Sequence, residues 1–129
     1  MEQLTVNTQK NVEFIDITSR IKNIVKKSGV RSGCCIIYVP HTTAAVTVNE
    51  CADINVQVDI IKKLDELVPI DDDYNHVEGN SAAHIKSSLL GASQSFLVEN
   101  GDVILGRWQG IFFCEFDGPR ERKVLVSVL

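Results

Sequence analysis

A chain of 129 residues with a formal net charge of −4 is long enough for one hydrophobic core and too short for two. Hydrophobic residues make up 44% of it and charged residues 23%, which excludes a disordered chain. The excess of acids argues against a nucleic-acid or anionic-membrane surface. No run approaches the roughly 20 apolar residues of a membrane span, and the N-terminus lacks the apolar centre of a signal peptide. We therefore expect neither nucleic acid nor membrane as a partner.

The four cysteines predict a reduced protein. Cys34 and Cys35 are adjacent, Cys51 and Cys114 stand alone, and no C-x-x-C pair occurs. Adjacent cysteines rarely bridge each other, so neither a disulfide framework nor a zinc ribbon fits this pattern. Three of the four lie inside apolar runs, where a thiol packs as a small hydrophobic group. We expect a cytoplasmic location.

The first elements along the chain are two strands and a helix. Residues 4–9 and 12–18 alternate with period two, and the short polar link between them predicts a β-hairpin. The next segment has apolar residues on one helical face. Ser19 is placed to cap this helix at its start, and Gly29 is placed to end it.

Two apolar strands and a second helix follow. Residues 33–40 and 43–49 are too continuously apolar for a strand with one solvated face. Asp53 is the predicted N-cap of a helix that Pro69 ends. The apolar residues of this helix recur at helical spacing and predict a buried stripe. Its members are Ile54, Val58, Ile61, Leu64 and Val68.

The remaining half of the chain reads as a loop, a short helix and more strands. Residues 70–80 are polar and turn-rich, and Ser81 is placed to cap a helix over 82–91. Asn100–Gly101 is a typical hairpin turn. Strands are predicted at 95–99, 102–108, 110–116 and 123–129. Many short strands with two to three short helices predict a single α+β domain over residues 1–129, β-rich and sandwich-like.

The three histidines are the first candidate site. His41, His76 and His84 all lie at predicted ends of elements, where a fold can hold reactive groups on rigid supports. Three imidazoles with one open coordination position would suit a catalytic zinc or a similar divalent ion. Their spacing matches no known metal motif, so three ordinary surface histidines remain the alternative.

Carboxylates and phosphate-binding groups complete the candidates. Glu50, Glu78, Glu115 and Asp117 could each act as a general base or orient a histidine, and we favour Glu115 because its flanks are apolar. Anions are attracted by the start of the helix after Ser81 and by guanidinium groups. The candidate phosphate ligands are Thr42, Thr43, Lys86, Ser87, Ser88, Arg120 and Arg122. Each residue alone is commonplace at a solvated surface.

Three long blocks of sequence together resemble the YjbQ-like family, also called the secondary thiamine-phosphate synthase family. They are HTTAAVTVNE at 41–50, DYNHVEGNSAAHIKSSLLG at 73–91 and GDVILGRWQGIFFCEFDGPRERKV at 101–124. The resemblance implies a trimer of β-rich α+β subunits with a cavity where the motif residues gather. It also implies a weak activity that joins a hydroxymethylpyrimidine diphosphate to a thiazole phosphate.

Carried over residue by residue, the resemblance implies a role for each matching position. It implies metal ligands at His41, His76 and His84, and catalytic roles for Glu50, Glu115 and Arg120. The substrate-binding positions that it implies are Thr42, Thr43, Lys86, Ser87, Trp108, Gln109, Asp117 and Arg122. Two alternatives remain open: a metal-dependent phosphate-ester hydrolase with the same residues, and a non-catalytic trimeric binding module.

Overall fold

A computed structural model describes all residues from 1 to 129 and contains eight strands and three helices. In chain order the elements are β1 (Glu2–Asn7), β2 (Glu13–Asp16), α1 (Thr18–Ser28), β3 (Ser32–Tyr38), β4 (Ala44–Glu50), α2 (Ile54–Leu67), α3 (Ser81–Leu90), β5 (Ser93–Glu99), β6 (Asp102–Val103), β7 (Gln109–Glu115) and β8 (Glu121–Val128). The α+β class is confirmed.

Two antiparallel sheets enclose the core. The larger sheet has the strand order β1-β8-β3-β5-β6, and the smaller one has β2-β7-β4. Alternate residues of β3, such as Cys35 and Ile37, point inward and are completely buried. Strand β7 is the central strand of the smaller sheet and is buried from Gly110 to Glu115. That double-sided burial explains the unbroken apolar run in its sequence.

The predicted N-terminal hairpin is wrong. Strand β1 pairs with β8 and β2 pairs with β7, so the two strands belong to different sheets. The link between them is shaped by Glu13, whose carboxylate accepts hydrogen bonds from the backbone N–H groups of Gln9 and Lys10 at 2.6 and 2.9 Å. Period-two alternation identified both strands correctly but carried no information about their partners.

Helix α1 ends as predicted and begins differently. Gly29 has a φ of 75°, a left-handed conformation that favours glycine, and its N–H donates to the carbonyl of Lys26. Ser19 is not the cap, because the helix begins at Thr18 and its N-cap position is Ile17, two residues before the predicted cap and without a capping side chain. Val25 packs into the core between the sheets.

Helix α2 confirms the predicted cap and contradicts the predicted stripe. The carboxylate of Asp53 accepts a hydrogen bond from the N–H of Asn55 at 2.9 Å. None of the helical residues is fully buried, and Ile54 and Val58 are 64% and 52% exposed. Only Val68, just beyond the helix, is buried. Ile61 and Leu64 are half-buried, and Leu64 packs against the smaller sheet. The single chain therefore covers the apolar face of α2 only in part.

Two further boundaries differ from expectation. The N-cap position of α3 is Asn80, one residue before the predicted Ser81, and no side chain caps this helix. The strand predicted over 102–108 is only Asp102–Val103, because the chain then leaves the sheet for a turn before β7. The Asn100–Gly101 turn is present, with both residues at positive φ. None of the three helices is long and apolar enough to cross a membrane.

Candidate functional site

A polar cavity of about 410 Å³ lies where the two sheets and α3 meet. The register pairs Ala44 at the start of β4 with Glu115 at the end of β7, and the contact of Glu115 with Arg122 joins this end to the start of β8 in the larger sheet. No apolar residue lines the cavity. Its lining residues are Thr42, Thr43, Glu78, Asn80, His84, Asp117 and Arg120. Six of the seven, all but Asn80, are candidate site residues predicted from the sequence.

Arg120 is held in place by its neighbour Asp117. Its Nε donates to the Asp117 carbonyl oxygen at 2.9 Å, and its Nη2 donates to the Asp117 carboxylate at 3.1 Å. The same carboxylate oxygen accepts from Asn80 Nδ2 at 3.0 Å. The structure gives the Nη1 group of Arg120 no protein partner. The cavity therefore contains a pre-oriented guanidinium with donors free for a ligand.

A buried ion pair between Glu115 and Arg122 lies next to the cavity. The carboxylate of Glu115 is fully buried and accepts hydrogen bonds from Arg122 Nε and Thr8 Oγ1, both at 2.8 Å. It also accepts from the Asp117 N–H at 3.0 Å. Arg122 in turn donates to Thr43 Oγ1 at 2.8 Å. The pair fixes two cavity residues without touching the cavity itself.

The pKa of Glu115 follows from these contacts. Burial alone raises the pKa of a carboxyl group, but the hydrogen bonds from Arg122, the Asp117 N–H and Thr8, together with the Arg122 charge, hold it below its ordinary value. An acid that stays ionised and has no exposed surface is poorly placed to exchange protons with a substrate. The geometry thus favours a positioning role for Glu115 over the predicted role as base.

Two of the three histidines lie side by side. The imidazole rings of His76 and His84 have centroids 5.3 Å apart in a T-shaped arrangement. Glu78 and Asp117 add carboxylates to the cavity that His84 lines. Within the chain, however, no three side chains of the His, Cys, Asp and Glu types converge to hold a metal ion.

His41 is engaged elsewhere. Its Nε2 accepts a hydrogen bond from the backbone N–H of Lys123 at 2.9 Å. An accepting ring nitrogen must be unprotonated, and burial together with the nearby Arg122 charge lowers the pKa of His41 accordingly. The lone pair of Nε2 is therefore not free for a metal in this arrangement. The chain alone does not provide the predicted three-histidine set.

Two predicted phosphate ligands lie in a second cavity or in the protein interior. Lys86 is buried, and its Nζ contacts the carboxylate of Asp65 and lies 5.9 Å from the centre of the Phe116 ring. It lines an adjacent cavity of about 240 Å³. Ser87 is buried and its Oγ has no hydrogen-bond partner. The structure therefore does not place Lys86 next to Arg120 in one phosphate pocket.

Three predicted residues lie at the far end of the small sheet. Glu50 pairs with Gln109 at one end of the β4–β7 ladder, whereas Ala44 pairs with Glu115 at the other. The six intervening steps correspond to about 20 Å. Trp108 precedes this end of β7 and is more than half exposed. Within one chain these residues do not join the cavity.

Two contributors to the site, Asn80 and Thr8, were not predicted from the sequence. Asn80 precedes α3 at a position that usually caps a helix, yet its amide binds Asp117 instead. Thr8 contacts Glu115 across 107 residues of sequence, a separation that no local pattern encodes. Asparagine before a helix was the only available signal, and it points to capping.

Comparison with known proteins places the whole chain in one family. The family profile described as "UPF0047 protein YjbQ-like" matches residues 2–129. The UPF0047 protein YugU of Bacillus subtilis is 48% identical, with 100% of this chain and 98% of that protein covered. A UPF0047 protein of Methanocaldococcus jannaschii is 50% identical over 96% of this chain and 90% of its own length.

Solved structures agree with the fold. An uncharacterised YjbQ/UPF0047 protein from Clostridium acetobutylicum is 50% identical and superposes with a TM-score of 0.98, with 100% of both chains covered. A protein of unknown function from Sulfolobus solfataricus is 37% identical, with a TM-score of 0.95 over 98% of this chain and 94% of that one. The chain therefore belongs to the YjbQ-like UPF0047 family.

Proposed function

We propose that the protein is an enzyme acting on a small phosphorylated metabolite, which binds in the cavity lined by His84 and Arg120. One observation carries the proposal: the cavity has no apolar lining residue and contains a guanidinium whose orientation Asp117 fixes. Rigid arginine forks suit phosphate oxygens, because they offer parallel N–H donors at fixed spacing. The hydroxyl groups of Thr42 and Thr43 are further donors.

A divalent metal ion is part of the proposal. Glu78 and Asp117 put negative charge into the same cavity, and that charge repels a bare phosphate. A divalent ion beside His84 would attract both the carboxylates and the phosphate oxygens. The nearby His76 and His84 supply imidazole nitrogens that suit zinc. Further ligands would have to come from outside this set, such as phosphate oxygens or a neighbouring copy.

The proposed reaction is the condensation suggested by the family resemblance, a thiamine-phosphate synthase-like transfer. In it, a pyrimidine diphosphate loses pyrophosphate as its methylene carbon bonds to the thiazole nitrogen. Arg120 would hold the diphosphate, and donors that stabilise the departing pyrophosphate lower the barrier to bond breaking. No proton has to leave the thiazole nitrogen when this bond forms, so the reaction needs no buried base. The inaccessible carboxylate of Glu115 is consistent with such a reaction.

A binding experiment tests the site independently of the reaction. Pyrophosphate titrated into the protein by calorimetry, with magnesium or zinc present, should bind, and Arg120→Gln should weaken binding by about tenfold or more. Arg107→Gln is the matched control, because this exposed arginine stacks on Trp108 far from the cavity. Equal loss in both variants, or none in Arg120→Gln, would reject the cavity as the phosphate site.

Turnover assays then separate the possible reactions. Release of pyrophosphate that requires both the pyrimidine diphosphate and the thiazole phosphate would support the synthase. Release of phosphate from esters without an acceptor would support a hydrolase with the same residues. No turnover with intact binding would leave a binding module.

We also propose a homotrimer. Cys34, Ile36 and Tyr38 alternate on the outer face of β3, next to Leu97 on β5 and Leu125 on β8. Ile36, Tyr38 and Leu97 are exposed, and a cluster of exposed apolar side chains on one sheet face is typical of a contact between subunits. Sedimentation equilibrium should give three times the 14.3 kDa chain mass, and Tyr38→Glu should lower that value.

A further inference from the structure

A further cavity, of about 430 Å³, lies between the last turns of α1, the link from α1 to β3, and the turn that joins β5 to β6. We call it the basic cavity, because three of its side chains are cationic. Val30 is the only apolar residue that lines it. The full lining is Lys22, Asn23, Lys26, Gly29, Val30, Arg31, Asn100, Gly101 and Asp102.

The basic cavity is remote from the cavity lined by His84 and Arg120. Arg31 directly precedes β3, whereas Thr42 of the other cavity follows the end of that strand. The six steps from Ser32 to Tyr38 along β3 correspond to about 20 Å. A compact ligand in one cavity therefore cannot touch the other, and the two are separate sites.

Positive charge is concentrated in the basic cavity. Three basic side chains and one acidic one line it, although the whole chain has a net charge of −4. Lys22 pairs with the only acid, Asp102, at 3.3 Å, and both side chains are about half exposed. Lys26 and Arg31 have no carboxylate within ion-pair distance. Since an exposed pair contributes little to stability, an anionic ligand can also recruit Lys22.

The guanidinium of Arg31 is held against the turn. The N–H of Gly101 donates to the Arg31 carbonyl at 3.1 Å, and a Cβ atom at Gly101 would lie only 3.2 Å from Arg31 Nη1. The close approach thus depends on a glycine at this position. Lys26 also complements the dipole at the end of α1, but Arg31 lies beyond the helix and needs another explanation. A guanidinium in a fixed place loses little entropy when it binds an anion.

The lining also restricts the kind of anion. No aromatic residue is present to stack on a ring, so charge and hydrogen bonds must provide the affinity. A phosphate group carries a charge of about −1.5 to −2 at pH 7, whereas a carboxylate carries one, so phosphates neutralise clustered cations with the smaller molecule. We propose that the basic cavity binds a compact polyanion with three or more negative charges, of the oligophosphate class. This site does not depend on the proposed function, because a cavity with excess positive charge needs no metal ion to attract phosphate.

Tripolyphosphate and orthophosphate test the site in metal-free buffer, after the protein has passed over a chelating resin. In calorimetric titrations at about 0.1 M ionic strength, we expect tripolyphosphate to bind at least about tenfold more tightly, because it brings more charge to the same cations. In ¹H–¹⁵N spectra, tripolyphosphate should shift the amide signals of Gly29 and Gly101 and leave those of Thr42 and Thr43 in place. Added salt should weaken the binding, since the contacts are ionic.

Four variants locate the binding. Arg31→Gln should weaken tripolyphosphate binding about tenfold. Lys27→Gln is the matched control: it removes a positive charge from the same end of α1 but does not line the cavity, so its effect should stay below about threefold. Asp102→Asn should tighten binding, because it removes the only carboxylate of the cavity, and such a gain cannot come from misfolding. Arg120→Gln should leave the affinity unchanged.

Several results would overturn the proposal. Equal weakening in Arg31→Gln and Lys27→Gln would show attraction to diffuse surface charge and reject the site. A loss confined to Arg120→Gln would place tripolyphosphate in the other cavity. Orthophosphate that binds as tightly as tripolyphosphate would reject the polyanion class, and no binding of tripolyphosphate at millimolar concentration would reject the site. Metal-dependent binding of pyrophosphate tests the proposed function separately, so either proposal can fail alone.

Discussion

Replacing Glu115 with glutamine should strongly destabilise the fold while changing almost no volume. The substitution leaves the Arg122 guanidinium, which is 2% exposed, without its counter-charge. Removing one partner of a buried pair costs about 3–5 kcal/mol, because the remaining charge is neither paired nor hydrated. For a chain of this size that corresponds to a fall in Tm of roughly 10–20 °C. The effect is thermodynamic and needs no substrate.

Urea unfolding followed by circular dichroism at fixed protein concentration measures the change. Glu121→Gln is the control: its carboxylate pairs with Lys123 at 3.4 Å on the surface, so its loss should cost less than about 0.5 kcal/mol. Adding Arg122→Met to Glu115→Gln should recover much of the loss, since an apolar replacement removes the stranded charge. An unchanged free energy of unfolding in Glu115→Gln would refute this reasoning and return Glu115 to the list of catalytic candidates.

Three further predictions concern Glu115, His41 and Lys86. Folding lowers the pKa of Glu115, so its ionised carboxylate stabilises the fold fully above pH 4.5, and this stabilisation is lost as pH falls through the folded-state pKa. Acid unfolding of the parent protein, with Glu115→Gln as the reference, should show this loss. His41 should titrate below its ordinary value of 6.5, since burial and the Arg122 charge lower its pKa; an NMR midpoint at or above 6.5 would contradict the hydrogen bond to Nε2. In urea, the free energy of unfolding of Lys86→Met should lie within about 1 kcal/mol of the parent value, because a methionine fills the volume of the buried lysine side chain. The free energy of unfolding of Lys86→Ala should be well below the parent value, because an alanine leaves a cavity. Equal stability of the two Lys86 variants would show that the stem does not pack.

Local signals in the sequence predicted local structure well. Gly29 and Asp53 mark helix ends because the capping contacts span only a few residues, and Asn100–Gly101 marks a turn for the same reason. The α+β class followed from many short apolar runs between helices. These features depend on residues that are neighbours in the sequence, so they can be predicted from one sequence.

Pairing and burial depend on distant residues and were predicted less well. Strands β1 and β2 were recognised but paired wrongly, because alternation is the same for every possible partner. The stripe on α2 has the spacing of a core-facing helix, and the spacing cannot tell whether the chain itself or another copy covers it. The sequence therefore predicted an amphipathic helix correctly and its burial wrongly.

The candidate site shows the same division. The structure brings five motif residues to the lining of one cavity: His84, Thr42, Thr43, Asp117 and Arg120. Glu50, Trp108 and Gln109 share the family motifs but lie at the other end of the smaller sheet. A sequence motif does not show which of its residues share one site. In a single sequence, a residue that would bind a ligand cannot be distinguished from one that only supports the site.

The most direct test of the account is a crystal structure with zinc and pyrophosphate at saturating concentration, with anomalous data at the zinc edge. We expect phosphate oxygens within hydrogen-bond distance of the Arg120 guanidinium and an anomalous peak beside His84. Pyrophosphate bound with full occupancy away from Arg120, or a cavity that contains only water, would contradict it.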